Sequence, residues 1–160
     1  MRVAHSDAHV RTRAGFLVPE SAGSEPTDAV QLALASPLNY TAVPIKLHLE
    51  PATDLNGKKH VEFTLTLASG GFTIDSADGN HAWLELTAGM VDAKGNIKAT
   101  NPHTIDLHLK PESVAKIFAG GLVYRSSFDV APGEYTGRFV VRDRLSGQVG
   151  SVSAPIKISP

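Results

Sequence analysis

Seven histidines in 160 residues are the first feature of this chain that could do chemistry. His48 and His60 flank a hairpin-like stretch and share its outward phase with Glu50 and Glu62. Cross-strand neighbours on one face come close enough for two imidazoles and a carboxylate to share a zinc ion. No His-x-His or HExxH spacing occurs, and His103 and His108 differ by an odd number, which puts them on opposite faces of a regular strand. The histidines therefore read as members of solvated polar strand faces, and spacing assigns no metal ligands.

Other reactive groups are equally dispersed. The serines include no GxSxG elbow: Ser69 precedes a Gly-Gly break, and Ser126 and Ser127 fall in mid-strand. Asp75 with Asp78, and Asp54 with Glu50, are loop acids without the DxDxDG density of a calcium loop. The Gly-Gly pairs are isolated, with no Walker-type loop or GxGxxG. Cysteine is absent, which removes thiolate nucleophiles, Cys-based zinc sites and disulfides together. The expectation is a protein that is not an enzyme and carries no cofactor. Trp83, the sole tryptophan, falls out of phase with Leu84 and Leu86. It points outward beside Glu85 and Thr87, either as a contact anchor for a partner or covered by the N-terminal segment of its own chain.

The elements that must position these residues show mainly a period of two. Val43, Ile45, Leu47 and Leu49 alternate with Pro44, Lys46, His48 and Glu50; after Asn56-Gly57, Val61, Phe63, Leu65 and Leu67 alternate with polar residues. This is an antiparallel pair with one buried face and one wet face. Phe72 to Asp75 suggests a short edge strand. Leu84, Leu86, Ala88 and Met90 form the next inward set, closed by Asp92-Ala93-Lys94-Gly95, and Ile105, Leu107 and Leu109 follow. Residues 111–120, PESVAKIFAG, have a first-turn proline, an early glutamate and terminal glycines, which predict one or two helical turns. Leu122, Tyr124 and Phe128 belong to the next strand, and Phe139 and Val141 share a face in the one after it. A last strand over residues 149–158 contains Pro155, which demands an edge or a bulge. About seven strands with turn signals every 8 to 15 residues predict an all-β, immunoglobulin-like or fibronectin III-like antiparallel β-sandwich.

Before residue 40 the pattern differs. Val10 to Val18 suggests a short strand, PESAGSEPT is linker-like, and Thr27 or Asp28 can cap a short helix over Ala29 to Ala35 that Pro37 stops. Residues 1–39 are thus expected to be an N-terminal arm, the end of a preceding domain with linker and helix, and residues 40–160 the sandwich domain. The first residues have charge but no apolar core of a secretory signal.

Bulk composition agrees with a β-rich globular domain, at 42% hydrophobic and 19% charged residues. A chain of this length buries roughly 70% of its unfolded surface and needs no disulfide or metal to fold. Fifteen basic against sixteen acidic residues give a net charge of −1, without a basic run longer than two, so neither nucleic acid nor anionic lipid is an expected partner. No apolar run approaches the ~20 residues that cross a bilayer, so membrane insertion is not expected.

Pro132-Gly133-Glu134-Tyr135 favours a type II turn, because proline presets φ and glycine accepts the positive φ that follows. Tyr135 then starts the penultimate strand, where its ring can cover the core end and its hydroxyl can bond back to the preceding loop, the logic of a tyrosine corner.

VRTRAGF near the start, an SPL segment after the short helix, LELTAGMVDAKGNI and PGEYTGRFVVRDRLSGQVGS together resemble the C-terminal region of the VWFA-related proteins common in Acidobacteria. In that family a von Willebrand factor A-type domain precedes a β-sandwich. The resemblance covers nearly the whole chain. It implies a non-catalytic module of a larger exported or envelope-associated protein, acting in protein–protein interaction, adhesion or domain spacing, with a protein partner or the neighbouring A-type domain as its contact. The family's DxSxS adhesion motif is absent, so no magnesium site carries over. A small carbohydrate- or ligand-binding sandwich is the alternative.

Overall fold

In the computed structural model, residues 16–17 and 28–160 are described. The strand expected around residues 10–18 lies outside them except for Phe16 and Leu17, and the linker outside them altogether. In chain order the elements are β1 (Phe16–Leu17), α1 (Asp28–Ala35), β2 (Ile45–Leu49), β3 (Thr53–Leu55), β4 (Lys58–Leu67), β5 (His81–Asp92), β6 (Ile97–His108), α2 (Pro111–Gly120), β7 (Leu122–Val130), β8 (Gly133–Asp143) and β9 (Val149–Ile158).

The strands form two sheets. One has the order β1-β7-β4-β2, with β3 paired to the start of β4; the other has the order β6-β5-β8-β9. Every pair is antiparallel except β1 with β7. The chain is an all-β sandwich built on seven long strands. Its register follows the inward residues: Ile45 faces Leu67 and Leu47 faces Leu65, while Leu84 lies opposite Ile105 on one side and Asp143 on the other.

Between the sheets, Phe63 packs at ring-centroid distances of 4.9 Å from Phe139, 5.2 Å from Phe128 and 6.2 Å from Tyr124. Burying such aromatic groups contributes about 1.5–3 kcal/mol each, which makes this cluster the centre of the fold. A second, smaller cluster lies on the outer face of the four-stranded sheet. There Val30, Ala33 and Leu34 of α1 pack on Val140, with Val149 beside them. Arg138 donates from Nη1 to the carbonyl of Ser36, just past the helix end, satisfying one of its orphan acceptors.

Three local features depart from the sequence reading. Residues 72–75 form no strand; Asp75 makes only an isolated bridge with His81, because Asp143 takes the Thr73 N–H that a ladder would use. Conversely, Asn56 and Gly57, both at positive φ, close a tight hairpin that pairs Thr53–Leu55 with the start of β4. The first regular strand starts at Ile45 rather than Val43, since Pro44 offers no N–H to a ladder. Pro155 lies in β9, on the sheet's edge, opposite Thr136.

Candidate functional site

On the outer face of the four-stranded sheet, α1 covers one end and leaves the other to polar side chains. The outward residues of β5 run His81, Trp83, Glu85 and Thr87. Sequence phase sends Glu85 and Thr87 toward solvent, yet Glu85 is only 3% exposed and Thr87 is buried. The reason is tertiary. Arg142 of β8 and Arg144 just beyond it both reach Glu85, each at 3.2 Å from Nη1 to a separate carboxylate oxygen. One buried acid thereby holds two arginines against the sheet.

Arg144 also covers Trp83. Its guanidinium carbon stands 4.2 Å from the ring centroid, and its backbone N–H donates to the Trp83 carbonyl at 2.9 Å. The arrangement orients a cation over an indole face, worth about 0.5–1 kcal/mol where solvent reaches it. On its other side along β5, the half-buried indole stacks on His81 at 6.1 Å. Arg144 and His81 are thus the cation and ring neighbours of Trp83 among the described residues.

His81 begins the one group of three metal-ligating side chains that converge among the described residues. Its Nδ1 is 3.0 Å from Asp78 Oδ2 and its Nε2 is 2.7 Å from Asp106 Oδ1. His108, directly opposite His81 in the β5–β6 register, lies with its ring parallel to that of His81 at 4.4 Å, and its Nε2 is 3.9 Å from the same Asp78 oxygen. One nitrogen from each histidine and one oxygen of Asp78 all fall within 4.8 Å of one another. The connection that carries Asp78 is pinned by two backbone bonds between Asp75 and His81, at 2.8 and 2.9 Å, and by the Leu109 N–H on the Asn80 carbonyl at 3.1 Å.

The histidines singled out from the sequence do not converge. His48 faces Thr64, whereas His60 faces Thr53 and Asp129. Four positions of β4 therefore separate them, about 13 Å at strand rise. Each has its own acid: His48 Nε2 lies 2.9 Å from Glu50, and His60 Nδ1 lies 2.8 Å from Asp129. His103 turns into the sandwich beside Tyr124, with Nε2 on Asn101 Oδ1, while His108 is exposed on the opposite face. Spacing along the chain does not reveal the grouping of Asp78, His81 and His108, because it depends on strand phase. Outward residues of two adjacent strands were already identifiable as such.

Two further residues close the ends of β8. The Tyr135 hydroxyl donates to the Ala131 carbonyl at 2.9 Å, tying the turn to the strand it opens. At the other end, Asp143 is fully buried and accepts from Thr73 N at 2.8 Å, Leu145 N at 2.9 Å and Ser146 Oγ at 2.8 Å. Burial alone would raise its carboxyl, but the hydrogen bonds from Thr73, Ser146 and Leu145 outweigh that and hold it below the usual value.

Neither a family model nor a curated protein matches the chain. Among solved structures, a Bacteroides fragilis protein described as a beta-galactosidase is 18% identical, over 70% of this chain and 16% of its own, with a TM-score of 0.47. A Bacteroides uniformis beta-glucuronidase is 12% identical, over 71% of this chain and 13% of its own, with a TM-score of 0.43. The chain spans about one sixth or less of the length of these enzymes. Likeness at this level says nothing about chemistry.

Proposed function

We propose that the chain is a non-catalytic, immunoglobulin-like module that acts in protein–protein interaction, adhesion or domain spacing within a larger exported or envelope-associated protein. Lettered in the immunoglobulin manner, β2, β4 and β7 correspond to strands A, B and E, and β6, β5, β8 and β9 to C′, C, F and G. Tyr135 then lies near the start of F, where a tyrosine corner belongs. The observation that carries the interaction reading is Trp83: a half-buried indole, held under Arg144 at 4.2 Å beside a doubly paired Glu85. A pre-oriented tryptophan and arginine lose little side-chain entropy when a partner covers them, which is why such pairs anchor interfaces. The exported parent and its A-type neighbour rest on sequence resemblance alone.

The test is the mass of the native product in its source cell, detected with an antibody to this domain. A band much larger than 16.9 kDa supports a module of a larger protein. A native species of 16.9 kDa overturns the parent and the spacer role together.

The same indole favours one second reading, a small carbohydrate- or ligand-binding sandwich, because a sugar face stacks on an indole while neighbouring arginine and carboxylate groups bond its hydroxyls. Trp83 is the only tryptophan, so its fluorescence reports on this face alone. Emission unchanged across a glycan panel removes the carbohydrate reading.

A further inference from the structure

We propose that Asp78, His81 and His108 bind one divalent transition-metal ion of the zinc class, with Asp106 positioning His81 and a fourth coordination place open to water. His81 has an acid at each of its two ring nitrogens. Its Nε2 lies 2.7 Å from Asp106, and its Nδ1 lies 3.0 Å from Asp78. Each ring nitrogen of His81 thus has a carboxylate oxygen within hydrogen-bond distance. The tautomer that donates Nε2–H to Asp106 turns the Nδ1 lone pair toward Asp78, where the two can hold a metal ion together. Carboxylate–imidazole–metal order of this kind fixes the tautomer and raises the ligand's basicity.

Ligand type and distance agree with this. Two imidazole nitrogens and one carboxylate oxygen suit zinc, cobalt or nickel better than the all-oxygen cations. Bonds of about 2.0–2.1 Å in a tetrahedron place ligand atoms roughly 3.3 Å apart. Asp78 Oδ2 stands 3.0 Å from His81 Nδ1 and 3.9 Å from His108 Nε2, on either side of that figure. One movement is required. The two rings are parallel to within 4°, and a metal must lie in the plane of each ring that ligates it, so His108 has to turn about its side-chain bonds. His108 has the freedom to do so, since its side chain is 61% exposed. Gly79 lies beside it at φ 62°, a turn conformation that suits glycine. His81, with its side chain only 12% exposed, is the fixed half of the pair.

The other acid-rich histidines lack this convergence. Among the described residues, this is the one group of three whose ligand atoms come within 4.8 Å.

The experiment titrates zinc chloride alone into the full chain, freed of any histidine tag, by calorimetry. Quenching of Trp83 by copper(II) is followed in parallel, because His81 stacks on that ring at 6.1 Å. The expected result is one zinc per chain. His108→Ala should weaken it at least about tenfold, and Asp106→Asn by about 10-fold to 100-fold. His60→Ala should leave it unchanged. Because His108 is exposed, its variant keeps the fold, and circular dichroism verifies that. Absence of zinc uptake overturns the site. So does uptake of equal strength by His108→Ala, or uptake lost in His60→Ala. Copper that binds without quenching Trp83 places the metal elsewhere and overturns it as well.

Discussion

Asp92 and Asp143 open two turns of the same design at opposite ends of the four-stranded sheet, and the fold uses them differently. In the first, Asp92 accepts from the N–H groups of Lys94 and Asn96, both at 2.9 Å, and Gly95 at φ 85° completes the turn into β6. In the second, Asp143 accepts from Leu145 N at 2.9 Å and Ser146 Oγ at 2.8 Å, and Gly147 at φ 78° completes the turn into β9. Glycine suits both places because a Cβ is strained at such φ. The local code is shared. The further partner of Asp92, Lys98 Nζ at 3.2 Å, belongs to the same hairpin, whereas that of Asp143, Thr73 N at 2.8 Å, lies in the connection that carries the chain from one sheet to the other. One aspartate ties its own turn, while the other ties the two sheets together beside the face that holds Trp83 and His81. Turn chemistry reads the same in both sequences, but tertiary placement decides how much depends on it.

The most severe way to break that comparison is Asp143→Ala. It strips the acceptor from the Thr73 and Leu145 N–H groups and from the Ser146 hydroxyl at a fully buried position. Each buried group left unsatisfied costs about 1–3 kcal/mol, and relaxation at a loop recovers part of it, so a loss of about 2–4 kcal/mol is expected in a urea titration. A loss below that for a surface turn would show that Thr73 finds another partner and that the stitch between sheets is dispensable.

Acid sharpens the same contrast. Hydrogen bonding depresses both carboxyls in the folded state. For Asp92 the backbone N–H of Asn96 is the main cause and the value falls to about 2; for Asp143 the hydrogen bonds from Thr73, Ser146 and Leu145 overcome the opposing effect of burial. A depressed carboxyl stabilises the fold fully above its unfolded value, about 3.9, and that contribution is lost as pH falls through the folded value. Stability should therefore drop between about pH 4 and pH 2. The drop should be smaller in Asp143→Asn, whose side chain does not titrate. An unchanged acid limb in that variant would assign the loss to other carboxylates.

Much of the architecture was legible because alternation and turn residues act locally. Pro111 and Gly120 bound α2 where the sequence placed it, and Leu84, Leu86, Ala88 and Met90 are all buried. Legibility failed where one element's environment is supplied by another. Glu85 shares the outward phase of Trp83, yet Arg142 of β8 and Arg144 just beyond it bury it. His81 and His108 lie 27 positions apart, and a bulge between Met90 and Val91 shifts the β5–β6 register by one. Without that shift His81 would face Leu107, on the other side of the sheet. A hairpin counted back from its turn therefore misplaces the pair. The inward phases of Leu84 and Ile105 recover it, since they must share a face.

A gentler cut tests the Asp92 end of the molecule. Tyr135 lies opposite Asp92 in the register, and its hydroxyl reaches the Ala131 carbonyl four residues back. The ring is half-buried and remains in Tyr135→Phe, so the substitution removes one hydrogen bond and little packing. About 1 kcal/mol should be lost. Urea titration at neutral pH measures it, and no loss would mean that water satisfies the carbonyl equally well and that the ring alone closes the corner. Asp92→Ala should cost less than Asp143→Ala, because its turn is open to water and its partners rehydrate where they stand. If Asp92→Ala instead matched Asp143→Ala, the two turns would be equivalent after all, and the link through Thr73 would contribute nothing beyond its turn.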